Sequence, residues 1–338
     1  MKTIFINGKF LCQRITGVQR FAIEIVKELD KIEQNDVEFK IIAPEQQYQV
    51  NHLNLKNIKI VYTKGKPGYY WEQFKLSKYC KKNRPYDLLN LCNVAPIKYP
   101  GSCVIHDLAV IDVPNGYSWK QRFIYKLINK MNIKKYKHIF TDSNTMKDRI
   151  YEYYKGIRKK EITVIYSSAE HMNNIIPKKP NIDLPEHYFF SLGSMNPNKN
   201  FGAIVNLAKN NPNDFFIISG KKHKSFNDID LESLPNLQFA GYLSDEEIKY
   251  LYANCTAFLF PSIYEGFGIP PLEALMCGCK CVICNDIPVL RELYGDVALF
   301  ADFNKINKID VTDALIEKKD LNYSWTKSSI IMYNKIIS

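Results

Sequence analysis

Two glutamates, Glu265 and Glu273, stand with seven residues between them, and that stretch includes Gly266, Phe267 and Gly268. A carboxylate does not bind phosphate. It accepts hydrogen bonds from hydroxyls, and each charge-assisted bond is worth about 1.5–3 kcal/mol. A glycine-bearing loop that opens into a helix does the opposite. Its amides, with roughly half a positive charge from the helix dipole, favour an anion. Proline is tolerated in a first helical turn, so the helix is expected to begin near Pro270 and Pro271. The amides around Phe267 to Ile269 would then face outward. An anion cradle between two readers of hydroxyls suits a sugar joined through a diphosphate to a ribose, that is, a nucleotide-sugar. Glutamates near a helix start also favour the dipole on any surface helix. On these residues alone both readings stand.

Other residues bear on the choice. The segment Gly193-Ser194-Met195-Asn196-Pro197-Asn198-Lys199-Asn200 follows one expected strand and precedes a helix. Lys199 gains nothing from a helix N-terminus unless an anion is bound there; a solvated lysine is the alternative. His106-Asp107 directly follows another expected strand, at the edge where parallel sheets carry function. Arg14, Gly17 and Arg20 join the first strand to the first helix. Gly17 lets a ligand approach the backbone, and the arginines could meet phosphate or simply water. The run Cys277-Gly278-Cys279-Lys280-Cys281-Val282-Ile283-Cys284 has the look of a metal site. Cys279 and Cys281 would share one strand face, Cys284 the other, and Cys277 a helix, so the thiols would not converge. Small buried hydrophobes are the expected role, with no metal.

These side chains need a scaffold, and the chain supplies alternating strands and helices. Expected strands are 2–6, 39–43, 58–62, 87–91, 102–106, 138–141 and 162–166. Expected helices are 17–31, 71–82, 118–132 and one opening at Ser143 or Asn144. Within 17–31 the apolar residues Val18, Phe21, Ala22, Ile25, Val26 and Leu29 recur at helical spacing. After 173–185, rich in proline and poor in periodicity, the pattern restarts with strands 188–192, 214–219, 237–240, 256–260, 280–284 and 298–300. Helices are expected at 201–210, 244–254, 289–294, 306–318 and 324–337. Ser244 with Glu247 reads as a capping box. The domains are therefore drawn as 1–173, a linker 174–186, 187–318, and a final helix 319–338. Such alternation predicts parallel sheets covered on both faces, with ligands bound where strand C-termini meet.

Composition sets outer limits. The 338 residues are enough for about two domains, and 46% hydrophobic content is globular. No run of about 18 apolar residues suggests a membrane-spanning helix. Met1 to Asn7 reads as a first strand and not as a signal peptide. Nine cysteines, odd in number and irregularly spaced, fit a reducing cytoplasm. The net charge of +11 favours an anionic partner: a nucleotide-sugar, nucleic acid or an anionic leaflet.

Taken together, these segments resemble the retaining glycosyltransferases of family 4, the glycosyl transferases group 1. The carrying residues are Phe260-Pro261-Ser262, Glu265-Gly266-Phe267-Gly268, Glu273, Gly193 to Asn200, and Gly241-Tyr242-Leu243-Ser244-Asp245-Glu246-Glu247. Gly17-Val18-Gln19-Arg20-Phe21-Ala22, His106-Asp107 and Trp325 add to them. The likeness spans nearly the whole chain and is most specific over 241–278. It implies an α/β protein of GT-B fold, two Rossmann-like doubly wound domains facing a central cleft, with the last helix returning to the first domain. It implies transfer of a hexose, with retention, from a nucleotide-sugar donor to a glycan or lipid-linked acceptor. Bacterial surface polysaccharide synthesis (lipopolysaccharide or capsule) is the implied setting. The place would be the cytoplasm or the inner face of its membrane, with an anionic membrane surface as a further partner and no nucleic acid. By the same likeness Glu265 would bind donor-sugar hydroxyls, Glu273 the ribose, and Lys199 with the amides of Gly266, Phe267 and Gly268 the diphosphate. His106 would sit near the reacting sugar. Ser194, Gly17, Tyr242 and Leu243 complete the implied donor contacts. No metal or other cofactor is implied.

The chain departs from the family pattern at Ser194 and Asn198, where many members carry an arginine, at Tyr166-Ser167-Ser168-Ala169, where a glycine is usual, and at Lys280, where proline is usual. Diphosphate neutralisation would then fall to Lys199, helped by Arg14 or Arg20. A nucleotide-sugar epimerase on the same fold and a non-catalytic sugar- or lipid-binding relative are the rival readings. Release of free sugar without acceptor separates a transferase from the binder.

Overall fold

The computed structural model describes residues 2–33, 37–45, 53–194, 196–220, 234–311 and 321–338. The chain divides into two units. The first runs to Ser167 and adds Tyr323–Ser338; the second is Ser168–Asn322.

The first unit holds β1 (Lys2–Asn7), β2 (Val37–Pro44), β3 (Lys59–Thr63), β4 (Asp87–Asn90), β5 (Ser102–Val104), β6 (Ile139–Thr141) and β7 (Ile162–Val164). They pair in parallel in the order β3-β2-β1-β4-β5-β6-β7. The strand order reverses between β1 and β4, so the loops after these two strands flank the switch point. The helices are α1 (Gly17–Lys31), α2 (Ser77–Asn83), α3 (Ala109–Asp112), α4 (Trp119–Asn132) and α5 (Asn144–Tyr153). On α1 the inward face is the one that the spacing predicts: Phe21, Ala22, Ile25, Val26 and Leu29 are all buried.

The second unit holds β8 (Phe189–Leu192), β9 (Phe216–Ser219), β10 (Leu237–Gly241), β11 (Ala257–Phe260), β12 (Val282–Asn285) and β13 (Leu299–Ala301). These are also all parallel, in the order β10-β9-β8-β11-β12-β13. Its helices are α6 (Phe201–Asn210), α7 (Asp245–Asn254), α8 (Ile269–Met276) and α9 (Pro288–Tyr294). β8 and β11 form the reversal here. Phe201, Ile204 and Leu207 of α6 pack on Phe189, Phe216, Ile218 and Leu259 of the strands. That burial of large apolar side chains supplies most of the local stability, about 1.5–3 kcal/mol for each fully buried one. Ser244 caps α7 in both directions, accepting from the Glu247 amide at 3.4 Å while its own amide donates to Glu247 Oε2 at 2.9 Å.

The last helix, α10 (Trp325–Ile337), belongs to the first unit and packs along α1. Ser328 Oγ donates to the Tyr166 carbonyl at 2.6 Å, and Thr326 Oγ1 to Glu28 Oε2 at 2.9 Å. Trp325 is buried edge-on to Phe21.

Three expectations need correction. The segment drawn as a linker from 174 is fastened to the second unit: Lys249 Nζ donates to the carbonyls of Met172 at 2.7 Å and Ile175 at 2.8 Å, and the Lys178 amide to Glu246 O at 3.0 Å. The unit boundary accordingly falls at Ser167. The helix expected over 71–82 begins as a π-wound turn, Trp71–Leu76, before α2. Glu72 is fully buried there, bonded to Asn7 and Lys9, and a carboxylate on the inner face is what a plain amphipathic reading misses. Of the helix expected over 306–318, residues 306–311 are not helical and the remainder lies outside the described residues. Among the described residues no helix is long and apolar enough to cross a membrane.

Candidate functional site

The loops after β8 and β11 leave the switch point of the second sheet side by side, because these strands pair directly. Ser191 Oγ donates to Leu259 O at 2.7 Å and ties the strands at their ends. The loops are then stitched to each other: the Ile263 amide donates to Asn198 O at 2.9 Å, and Asn198 Nδ2 to Tyr264 O at 3.3 Å. Asn198 takes the place where the family pattern has an arginine, and here it is a strut between loops. Beside it a single 3-10 turn, Pro197–Lys199, aims Lys199 across the gap.

Lys199 Nζ meets Glu265 Oε1 at 2.5 Å, with side chains only 19% and 11% exposed. Two groups separated by 66 residues in sequence are thus brought together at the edge where open parallel sheets bind ligands. The pair joins one group able to neutralise phosphate to one able to accept from hydroxyls. Both are partly, not wholly, shielded from water. Lys199 also lies over the Phe260 ring, 5.6 Å from its centroid.

From Glu265 the loop turns at Gly268, the N-cap of α8, with φ +86°. The positive φ favours glycine, and a Cβ there would lie 3.1 Å from Leu290 Cδ2 and from Phe260 Cε1, so those side chains would have to give way by a few tenths of an ångström. Its carbonyl accepts from Tyr294 OH at 2.7 Å. The helix starts at Ile269, and Pro270 and Pro271 contribute no N–H. An anion at this end would therefore rely on the loop amides before the prolines. Phe267 is buried, its ring edge-on to Tyr294, so only its main chain is left to meet a ligand.

Glu273 lies one turn further along α8. Tyr252 OH, on α7, donates to its Oε2 at 3.0 Å, and His171 Nε2 meets its Oε1 at 3.0 Å. Two donors from different elements thus fix the plane of this carboxylate. Neither was singled out from the sequence. Tyr252 carried a faint signal, a hydroxyl-bearing aromatic on the inward face of α7. His171 carried none, lying in a non-periodic stretch 102 residues away in the chain.

The remaining residues of this unit divide. Tyr242, just past the C-terminal end of β10, is 70% exposed, whereas the Leu243 side chain is buried. Any contact Leu243 makes with a ligand is therefore through its main chain. Ser194 is exposed, its carbonyl accepting from the Asn196 amide at 2.8 Å. The cysteine run is not a cage: among the described residues no group of three or more His, Cys, Asp or Glu is placed to hold a metal. Cys255 and Cys279 sit 3.6 Å apart as buried thiols, and burial pushes Cys277 and Cys281 up to about 12.

In the first unit Gly17 opens α1 with Thr16 as N-cap, Arg14 is exposed, and Arg20 lies 3.9 Å from Glu24. His106 follows β5 and is buried, not open to a ligand. Its Nδ1 lies 2.7 Å from Asp142 Oδ2 and its Nε2 2.8 Å from the Leu91 carbonyl. Both partners are acceptors, so the ring is satisfied only when both nitrogens carry protons. Burial pulls its pKa down, but the Asp142 charge and hydrogen bond and the Leu91 carbonyl outweigh that, and the net shift is upward. Phe21 stands edge-on to the imidazole, at 4.8 Å between centroids. Both ring nitrogens of His106 are thus engaged by groups of the first unit itself.

Comparison with known proteins follows the same lines. Residues 172–322 match the family described as glycosyl transferases group 1. The chain is 32% identical over 213 residues to the O-antigen chain mannosyltransferase RfbU of Salmonella typhimurium, over 61% of this chain and 58% of that protein. It is 29% identical over 226 residues to the O-antigen chain mannosyltransferase B of Escherichia coli, over 60% of this chain and again 58% of the relative. The chain thus matches under two thirds of the length of these curated relatives. Among solved structures it is similar to Anabaena HepE in complex with UDP and glucose, with a TM-score of 0.66 and 15% identity over 99% of this chain and 95% of that one. It is also similar to a sucrose-phosphate synthase from Thermosynechococcus elongatus, with a TM-score of 0.68 and 13% identity over 100% and 94%. At these identities the likeness is one of fold: two parallel-sheet Rossmann-like domains of the GT-B class.

Proposed function

We propose that this chain transfers a mannosyl group, with retention, from a nucleoside diphosphate sugar to a glycan or lipid-linked acceptor in the synthesis of a surface polysaccharide such as an O-antigen. The observation that carries the reading is the Lys199–Glu265 pair at the switch point of the second sheet. The named activity of the mannosyltransferase relatives and the UDP-glucose complex of the structural neighbour HepE support it.

In this reading Lys199 moves onto the diphosphate and releases Glu265 to accept from sugar hydroxyls. Glu273, held by Tyr252 and His171, accepts from the ribose, and the exposed Tyr242 ring lies against the base. As the anomeric C–O bond breaks, negative charge grows on the leaving diphosphate. Lys199 and the loop amides before Pro270 stabilise that charge where it develops, a type of contribution worth about 2.7–4 kcal/mol for one lost donor elsewhere. The acceptor oxygen bonds to the anomeric carbon on the face the leaving group vacates, and its proton passes to the diphosphate. Charge compensation is assigned to these groups and not to a cation, so a chelator leaves turnover unchanged. His106 acts at one remove, holding the end of β5.

The test is a thermal-shift screen against UDP-, GDP- and ADP-linked mannose and glucose, followed by measurement of free sugar released without acceptor. A shift with one mannose donor and slow release of mannose support the reading. A shift without any release favours a non-catalytic binder. No shift with any of these donors contradicts both.

A further inference from the structure

Helix α4 has more apolar surface than the fold uses. Its inner face is accounted for: Tyr125 and Ile128 pack against Val94 and Val110, and Tyr125 OH donates to Asp107 O at 3.1 Å. Asn132 Nδ2 donates to Ala95 O at 3.0 Å, and Ser118 with Gln121 forms a complete capping box. The helix is firmly seated. Its outer face nevertheless carries Trp119, Phe123, Leu127 and Met131, exposed by 71%, 62%, 44% and 41%. Spaced four residues apart, they drift by about 40° at each step and sweep an arc of roughly 120°, along about 18 Å of helix. This arc lies opposite Tyr125 and Ile128. Large apolar side chains in a continuous row on a surface mark a contact.

The charge around the row points to the partner. From 119 to 137 the chain has seven basic residues, Lys120, Arg122, Lys126, Lys130, Lys134, Lys135 and Lys137, and no aspartate or glutamate. Lys120, Lys126 and Lys130 project within the apolar arc or at its edge. Their long stems can lie along an apolar phase while the ammonium groups reach a polar, anionic layer. We infer that the outer face of α4 docks on an anionic lipid bilayer surface, with the helix lying in the plane of the interface and Trp119, Phe123, Leu127 and Met131 inserted among the headgroups. The proposal does not depend on the donor chemistry and survives if that reading fails.

The three tryptophans make the test specific, because Trp71 and Trp325 are buried and only Trp119 is exposed. The full chain is mixed with vesicles of equal parts phosphatidylglycerol and phosphatidylcholine, and with vesicles of phosphatidylcholine alone. Co-sedimentation is expected with the first and not the second. Trp emission should shift to the blue and be quenched by brominated lipid, and Trp119→Phe should remove the optical signal while sedimentation persists. The triple variant Lys120→Gln/Lys126→Gln/Lys130→Gln should lower partitioning by about 100-fold, from roughly fivefold for each lysine near an anionic surface. The double variant Trp119→Ser/Phe123→Ser should lower it by at least about tenfold. A matched change elsewhere, Ile330→Ser/Ile331→Ser on α10, where both are also exposed, should leave it unaltered. Absence of binding to the anionic vesicles, equal binding to neutral ones, or binding indifferent to the α4 substitutions would overturn the inference. So would a dimer in solution that the Trp119→Ser/Phe123→Ser variant splits into monomers without any vesicle binding, which would assign the face to a second copy of the chain.

Discussion

The Lys199–Glu265 pair can be taken apart in two steps that separate stability from chemistry. Lys199→Met keeps the volume of the stem and removes the charge. Losing one partner of a fully buried pair costs about 3–5 kcal/mol, because the other charge is left without water or counter-ion. Here the side chains retain 19% and 11% exposure, so solvent reaches both, and the expected loss is about 1–3 kcal/mol. For a unit of this size each kcal/mol shifts the melting point by about 2–4 °C, which puts the change within calorimetric reach. The double variant Lys199→Met/Glu265→Gln leaves no unpaired charge and should recover stability to within about 1 kcal/mol of the parent. Turnover behaves differently. Each single variant should lose at least about 100-fold in sugar release from the donor, and the double variant should recover none of it. Calorimetric melting and a release assay on the four proteins complete the cycle. If the double variant is as unstable as Lys199→Met, the pair is not what Lys199 contributes to the fold. If either single variant turns over at near-parental rate, the pair has no place in the chemistry.

Three further outcomes are expected. Gly268→Ala should destabilise the second unit by about 1–3 kcal/mol in urea unfolding, since φ is +86° and Leu290 and Phe260 crowd the new methyl; a loss below about 0.5 kcal/mol would mean that the turn relaxes freely. Tyr252→Phe should raise the KM for donor several-fold, about 1 kcal/mol for one lost hydrogen bond, with kcat little changed; the reverse pattern would remove Glu273 from ground-state binding. The first unit should lose stability as pH rises. The folded pKa of His106 lies above its ordinary 6.5, so its stabilisation is complete below 6.5 and is lost as pH climbs through the raised value. Asp142→Asn should flatten that slope, and an unchanged slope would assign it to another group.

Much of this was legible because parallel α/β units repeat one pattern. The helix Gly17–Lys31 has the bounds its apolar spacing predicts, and Phe201–Asn210 likewise, since both bury one stripe on a sheet. Lys199, Glu265 and Glu273 could be singled out because a charged residue beside a strand–loop–helix junction is chemically conspicuous. What they touch was not legible. Tyr252 and His171 lie 21 and 102 residues from Glu273, and only the folding of α7 and of the stretch after Ser167 brings them to it. The state of His106 was hidden for the same reason: its partner Asp142 comes from the next strand's edge, 36 residues on. The buried Glu72 defeated a periodic reading from the other side, since a carboxylate is expected outward unless its partners, Asn7 and Lys9, are already known. The outer face of α4 was not singled out: the stretch reads only as a helix over 118–132, and which of its apolar residues the core would claim depended on Val94 and Val110.

The measurement that bears most directly on the central reading is calorimetric titration of the protein with a nucleoside diphosphate mannose and, separately, with the nucleoside diphosphate alone. The Lys199→Met variant should lose affinity for both ligands, because both carry the diphosphate. Glu265→Gln should bind the nucleoside diphosphate at near-parental affinity and lose affinity for the mannose donor alone. If instead Glu265→Gln weakens both ligands equally, or Lys199→Met weakens neither, the two residues do not divide phosphate and sugar between them, and the proposed donor site is wrong.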